Sequence, residues 1–79
     1  MDKDKLINIF SKALNISKDK INDDTNNENL DEWDSLGHLA ILTAIDNETN
    51  GKASKIETLS ECTSFSKIFE TLKKNKLAK

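Results

Sequence analysis

The 79-residue sequence contains no proline and no arginine; every one of its twelve basic residues is a lysine. Without proline, no helix has to break at a ring that lacks an N–H. Glycine occurs only at Gly37 and Gly51, so the backbone has few freely turning points, and helices are favoured. A single cysteine, Cys62, excludes an internal disulfide and a cysteine-built zinc site and fits a reducing compartment. No polarising neighbour marks its thiol as reactive, so it is expected as a small half-buried core residue. No apolar run approaches the roughly 18 to 20 residues of a membrane span, and MDKDKLINIF lacks the apolar core of a signal peptide. The expectation is a cytoplasmic protein without a membrane span.

The length suits one domain, residues 1–79, able to fold alone but too small to bury both a broad core and a deep catalytic pocket. A self-contained enzyme is therefore not expected. Charged residues make up 33% and hydrophobic ones 35%, enough apolar side chains for an ordered small domain. A net charge of −2 argues against a protein that grips phosphate backbones, and no nucleic-acid partner is expected. Charge is unevenly distributed. Residues 22–34 hold six acids (Asp23, Asp24, Glu28, Asp31, Glu32, Asp34) and no lysine, whereas Lys73, Lys74, Lys76 and Lys79 gather at the C-terminus. A charged partner is expected to meet the acidic middle.

Periodicity gives an all-α domain. Leu6, Ile7, Phe10, Ala13 and Leu14 share one helical face, and Asp2 and Asp4 suit the positive end of a helix spanning about Asp2 to Asn15. Residues 16–34 lose that pattern and read as a long loop pinned by Ile16, Ile21 and Leu30, with a short turn starting at Ser17. Loops of this length in compact domains are uncommon and often functional. A second helix begins at Asp34, whose carboxylate can cap it, and stops before Gly51. Its apolar residues spread over more than half the circumference, wider than one core stripe needs. Ile41, Ile45 and Leu42 are expected in the core, with Leu36 and Leu39 near the surface. Gly37, Ala40, Ala44 and Asn47 form a strip of small side chains that would admit another surface. Ile56 and Leu59 suggest a short third helix, with Thr58 and Glu61 at capping-box spacing. A last helix opens at Thr63 or Ser64 and turns Phe65, Ile68, Phe69 and Leu72 inward. The expected architecture is a small four-helix bundle of three longer helices and one short one.

One position within this pattern carries chemistry. In DEWDSLGHLAIL, residues 31–42, Ser35 falls at the start of the second helix. As an unaided nucleophile it would need a base, an orienting group and an oxyanion site. The one histidine, His38, lies near it but lacks an orienter and a cleft, and is expected on the surface. The other use of the hydroxyl is as a point of modification, since helix N–H groups and the dipole favour a phosphate ester there. Trp33 reads either as a core plug under the loop or as an exposed docking contact.

Asp34-Ser35-Leu36, preceded by an acidic loop and followed by an apolar helix, a short helix and a final helix, resembles the acyl and peptidyl carrier proteins over nearly the whole chain. The wider string Trp33-Asp34-Ser35-Leu36-Gly37-His38-Leu39 is similar to that of stand-alone carriers of specialised pathways. The resemblance implies that Ser35 receives 4'-phosphopantetheine from coenzyme A through a separate phosphopantetheinyl transferase, which supplies magnesium and the base. The arm's thiol then carries acyl groups as thioesters between enzymes of a lipid or specialised pathway. By the same resemblance Asp34 caps the helix and orients the serine during transfer, and Leu36 contacts the transferase. Leu39, Gly37, His38, Ala40 and Thr43 complete the expected docking face for acyl-loading and acyl-using enzymes, visited by a monomeric carrier.

The chain departs from the fatty-acid-synthesis carriers in two ways: Gly37, Ala40 and Asn47 stand where they carry acids on the exposed side of helix two, leaving Asp46 and Glu48 near its end, and Glu32-Trp33 stands where they have a small glycine-containing pair. Both favour a dedicated pathway. The rival expectations are an unmodified helical interaction module that never carries the arm, and a peptidyl or aminoacyl carrier of a non-ribosomal pathway. A helix-turn-helix DNA binder would need a basic recognition helix, and helix two has no lysine.

Overall fold

The computed structural model describes residues 1–79 and is all-α, with three α-helices, three short 3-10 turns and no β-strand. No helix is long and apolar enough to cross a membrane. Helix α1 spans Lys3–Leu14. Asp2 starts it by accepting from Lys5 N at 2.8 Å, and Asn15 ends it in the left-handed conformation. Its buried stripe is Leu6, Ile9, Phe10 and Leu14; Ile7 and Ala13, expected on that face, are half-buried. The stripe follows i, i+3, i+4, i+8, the spacing of a helix pressed against neighbours along one line.

The long segment after α1 is fastened at several points. Ser17 starts a 3-10 turn at Lys18–Lys20, and Ile21 and Leu30 are buried. Buried Thr25 accepts from Asn22 N at 2.9 Å and donates to Lys20 O at 3.2 Å, so its hydroxyl is not left unpaired. Two backbone bonds then clasp the loop to the start of the last helix: Phe65 N to Thr25 O at 2.9 Å and Asn27 N to Thr63 O at 3.0 Å.

Helix α2 spans Ser35–Glu48, and Gly51, at φ +84°, turns the chain away beyond it. Buried Thr49 donates to Ile45 O and accepts from Ala53 N. The expected short third helix is instead a pair of 3-10 turns, Ala53–Lys55 and Glu57–Glu61, parted by Ile56. The Thr58–Glu61 spacing makes no cap; neither turn has a side-chain cap, and Thr58 O instead accepts from the Cys62 thiol. So short and uncapped a segment cannot offset the cost of nucleating an α-helix. Helix α3, Phe65–Lys74, starts at Ser64, which accepts from Lys67 N.

The core sits between α1, α2 and α3, with Phe10 at its centre. The Phe10 ring meets Trp33 edge-on at 5.2 Å and Phe65 edge-on at 5.1 Å, geometries that add about 0.5 to 1.5 kcal/mol per pair to area burial. Ile41, Ile45, Ile68 and Leu72 are fully enclosed, and Ala53, Leu59 and Cys62 close the far side. Phe69 was expected inside but is half-buried. It stacks on Phe65 at 6.4 Å, with the Lys3 and Lys73 ammonium groups 5.7 and 5.3 Å from its ring centre.

Candidate functional site

The start of α2 is set by Asp34, whose extended backbone leaves its Oδ1 2.8 Å from the Gly37 N–H it accepts. Its carbonyl accepts from His38 N at 2.8 Å. This placement puts Ser35 in the first helical position, exposed to solvent. A helix's first N–H groups have no intrahelical acceptor. With Gly37 N–H taken by Asp34, those of Ser35 and Leu36 are left without a protein acceptor at the helix end where the dipole favours an anion. Asp34 thus caps the second helix and Ser35 opens it, as the local sequence predicts.

The segment entering the helix is locked from beneath. Trp33, only 2% exposed, is a core residue and not a docking contact. Its indole Nε1–H donates to His38 Nδ1 at 3.0 Å, and the two rings stack at 6.2 Å. Because the indole nitrogen only donates, Nδ1 must accept, and the ring proton sits on Nε2. Nε2–H then donates to Ser60 O at 2.7 Å. His38, expected on the surface, is therefore a half-buried strut joining the loop, α2 and the 3-10 turn Glu57–Glu61. Both its nitrogens are engaged, and neither is available as a base for Ser35.

Gly37 also differs from the expectation of an open docking position. A Cβ there would overlap the Glu32 carbonyl oxygen and lie 2.8 Å from Leu14 Cδ2. The surface that comes close to the small-residue strip is this chain's own loop and first helix, and Ala40 and Ala44 are likewise half-buried. Leu36 and Leu39 are the exposed large hydrophobics, at 79% and 62%, and Thr43 is exposed further along. Of the six residues expected to form the docking face, the structure leaves Leu36, Leu39 and Thr43 open and draws Gly37, His38 and Ala40 partly inward.

Two depressions flank this face. One, of about 520 Å³, lies beside Ser35 and is lined by Asn27, Trp33, Asp34, His38, Ser60 and Thr63. The other, of about 430 Å³, lies between α2 and the 3-10 turns, with Leu42, Ala53, Ile56 and Leu59 among its walls. Leu42, expected in the core, is half-buried because this groove opens along its flank. Ser60 and Thr63 line this depression from a segment distant in sequence and Asn27 from earlier in the loop, and no local pattern marks them.

Comparison with protein-family models, with curated proteins and with solved structures gives no match.

Proposed function

We infer that the chain is an acyl-carrier-type protein, folded as a variant of the four-helix carrier arrangement in which two 3-10 turns replace the short helix. The observation that carries this reading is the exposed Ser35 hydroxyl at the first position of α2, between the Asp34 cap and the exposed Leu36 side chain. In the transfer, Ser35 Oγ forms a bond to the phosphorus that bears the pantetheine of coenzyme A. The bond from that phosphorus to the nucleotide half of the pyrophosphate breaks, and the hydroxyl proton passes to a base on the transferase. The product is a phosphodiester on Ser35, and the group it holds supplies a thiol for carrying acyl units as thioesters.

The chain's own residues fit that role. Ser35 is exposed and takes no part in the hydrogen bonds made by Trp33, Asp34 and His38. Free N–H groups of the first turn favour the phosphate charge. The strut from Trp33 through His38 to Ser60 holds the attachment point still, as a swinging arm requires of its anchor. Exposed Leu36 and Leu39 make a small apolar contact suited to partners that bind and leave.

Incubating the purified chain with coenzyme A, magnesium and a broad-specificity phosphopantetheinyl transferase, followed by intact-mass measurement, tests the reading. One arm's mass is expected on the wild-type chain and none on Ser35→Ala. Unchanged mass, or addition that survives the substitution, would overturn it and favour an unmodified interaction module.

A further inference from the structure

We propose that the arm attached to Ser35 lies in the polar depression beside it, its hydroxyl and amide groups held by the side chains of Asn27, Ser60 and Thr63. The proposal rests on the reading of Ser35 as the attachment point.

Ser35 is itself part of the wall of this depression of about 520 Å³, and not of the apolar groove between α2 and the 3-10 turns. Whatever is joined to the serine oxygen therefore borders the polar space. The volume falls within the range of small-ligand sites, about 300 to 1,000 Å³, although such sites are mostly apolar. Here Trp33 is the one hydrophobic residue in the lining, and the remainder offer hydroxyl, amide, carboxylate and imidazole groups. Such walls do not suit an acyl chain. They suit the pantetheine segment, which carries a hydroxyl and amides between its phosphate and its thiol.

The walls are fixed by bonds that leave those side chains unused. Asn27 N donates to Thr63 O at 3.0 Å, setting the two residues side by side. The Ser60 carbonyl accepts from His38 Nε2 at 2.7 Å, and Trp33 Nε1–H completes the same strut on Nδ1. Other asparagines of the loop hold the loop itself: the side chains of Asn22, Asn26 and Asn29 accept from backbone N–H groups at 2.7 to 2.9 Å. The exposed Asn27 amide and Thr63 hydroxyl make no such bond, and Ser60 Oγ reaches only the Glu57 carbonyl at 3.4 Å. An amide and a pair of hydroxyls, brought from separate segments, thus border one space beside the serine. Because the backbone behind them is already in place, little ordering is needed when the arm settles there.

The test is solvent exchange of the arm's own amide protons, read by NMR on the full chain loaded from isotope-labelled coenzyme A. Exchange about five-fold slower than in free coenzyme A is expected, the factor that one net hydrogen bond supplies. The double variant Asn27→Ala, Thr63→Val removes no side-chain bond within the chain. It should load and stay as helical as wild type, while its arm exchanges at the rate of free coenzyme A. Asn47→Ala, an exposed position near the far end of α2, should keep the wild-type protection. Exchange at the free rate in the wild-type chain, protection that survives the double variant, or protection lost in Asn47→Ala would overturn the proposal while leaving Ser35 as the attachment point. A wild-type chain that never loads would overturn both.

Discussion

Replacing Gly37 by alanine sets two effects of opposite sign against each other. Alanine is the better helix former, and in α2 the exchange is worth up to about 1 kcal/mol in favour of the variant. Against it stands the packing around this residue. The new methyl would overlap the Glu32 carbonyl oxygen and crowd Leu14 Cδ2 at 2.8 Å. Leu14 can rotate, but the carbonyl belongs to the backbone just before Trp33, whose ring is held by Phe10 and His38. Relief therefore requires the loop to withdraw or the first turn of α2 to tilt. Overpacking of this kind costs about 1 to 3 kcal/mol. A tilt also strains the Asp34 cap on Gly37 N–H, a bond of the type worth about 0.5 to 2 kcal/mol. The clash wins, and a net loss of about 1 to 2 kcal/mol is expected. With a urea slope near 1 kcal/mol/M for so small a domain, the unfolding midpoint followed by circular dichroism should fall by about 1 to 2 M. An alanine variant as stable as wild type, or more so, would refute the tight approach of the loop to α2.

Leu36→Asp should retain helicity, because an acid in the first turn suits the helix dipole, while cutting the loading rate about ten-fold through loss of an exposed apolar contact; unchanged loading would place the docking contact elsewhere. Phe10→Ala removes the ring shared by Trp33 and Phe65 and should cost about 3 to 5 kcal/mol, enough to unfold much of the population at 37 °C, as thermal melting would show. His38→Ala leaves the Trp33 indole N–H and the Ser60 carbonyl without partners and should destabilise by about 1 to 3 kcal/mol, with altered emission from the only tryptophan. A double-mutant cycle of His38→Ala with Trp33→Phe should give a coupling above about 0.5 kcal/mol, and additive losses would mean the strut is not formed.

The sequence alone determined the helical class, the Asp34 cap, the stop at Gly51, the exposure of Leu36 and Leu39, and the serine at the head of the second helix. Each is written in local periodicity or in the chemistry of a helix end, which involves residues within a turn of one another. Only the tertiary structure decided which way the ambiguous residues face. Trp33 became core because Phe10 stands beneath it, His38 became a strut because Ser60 comes up from a segment 22 residues away, and Gly37 became a point of internal contact because the loop folds back on it. Phe69 is only half-buried, with lysine ammonium groups over its ring, Leu42 borders an open groove, and the short third helix stayed a pair of 3-10 turns for want of a cap. Those outcomes depend on contacts between residues far apart in the chain, and a helical period records which side chains share a face but not what comes to cover it.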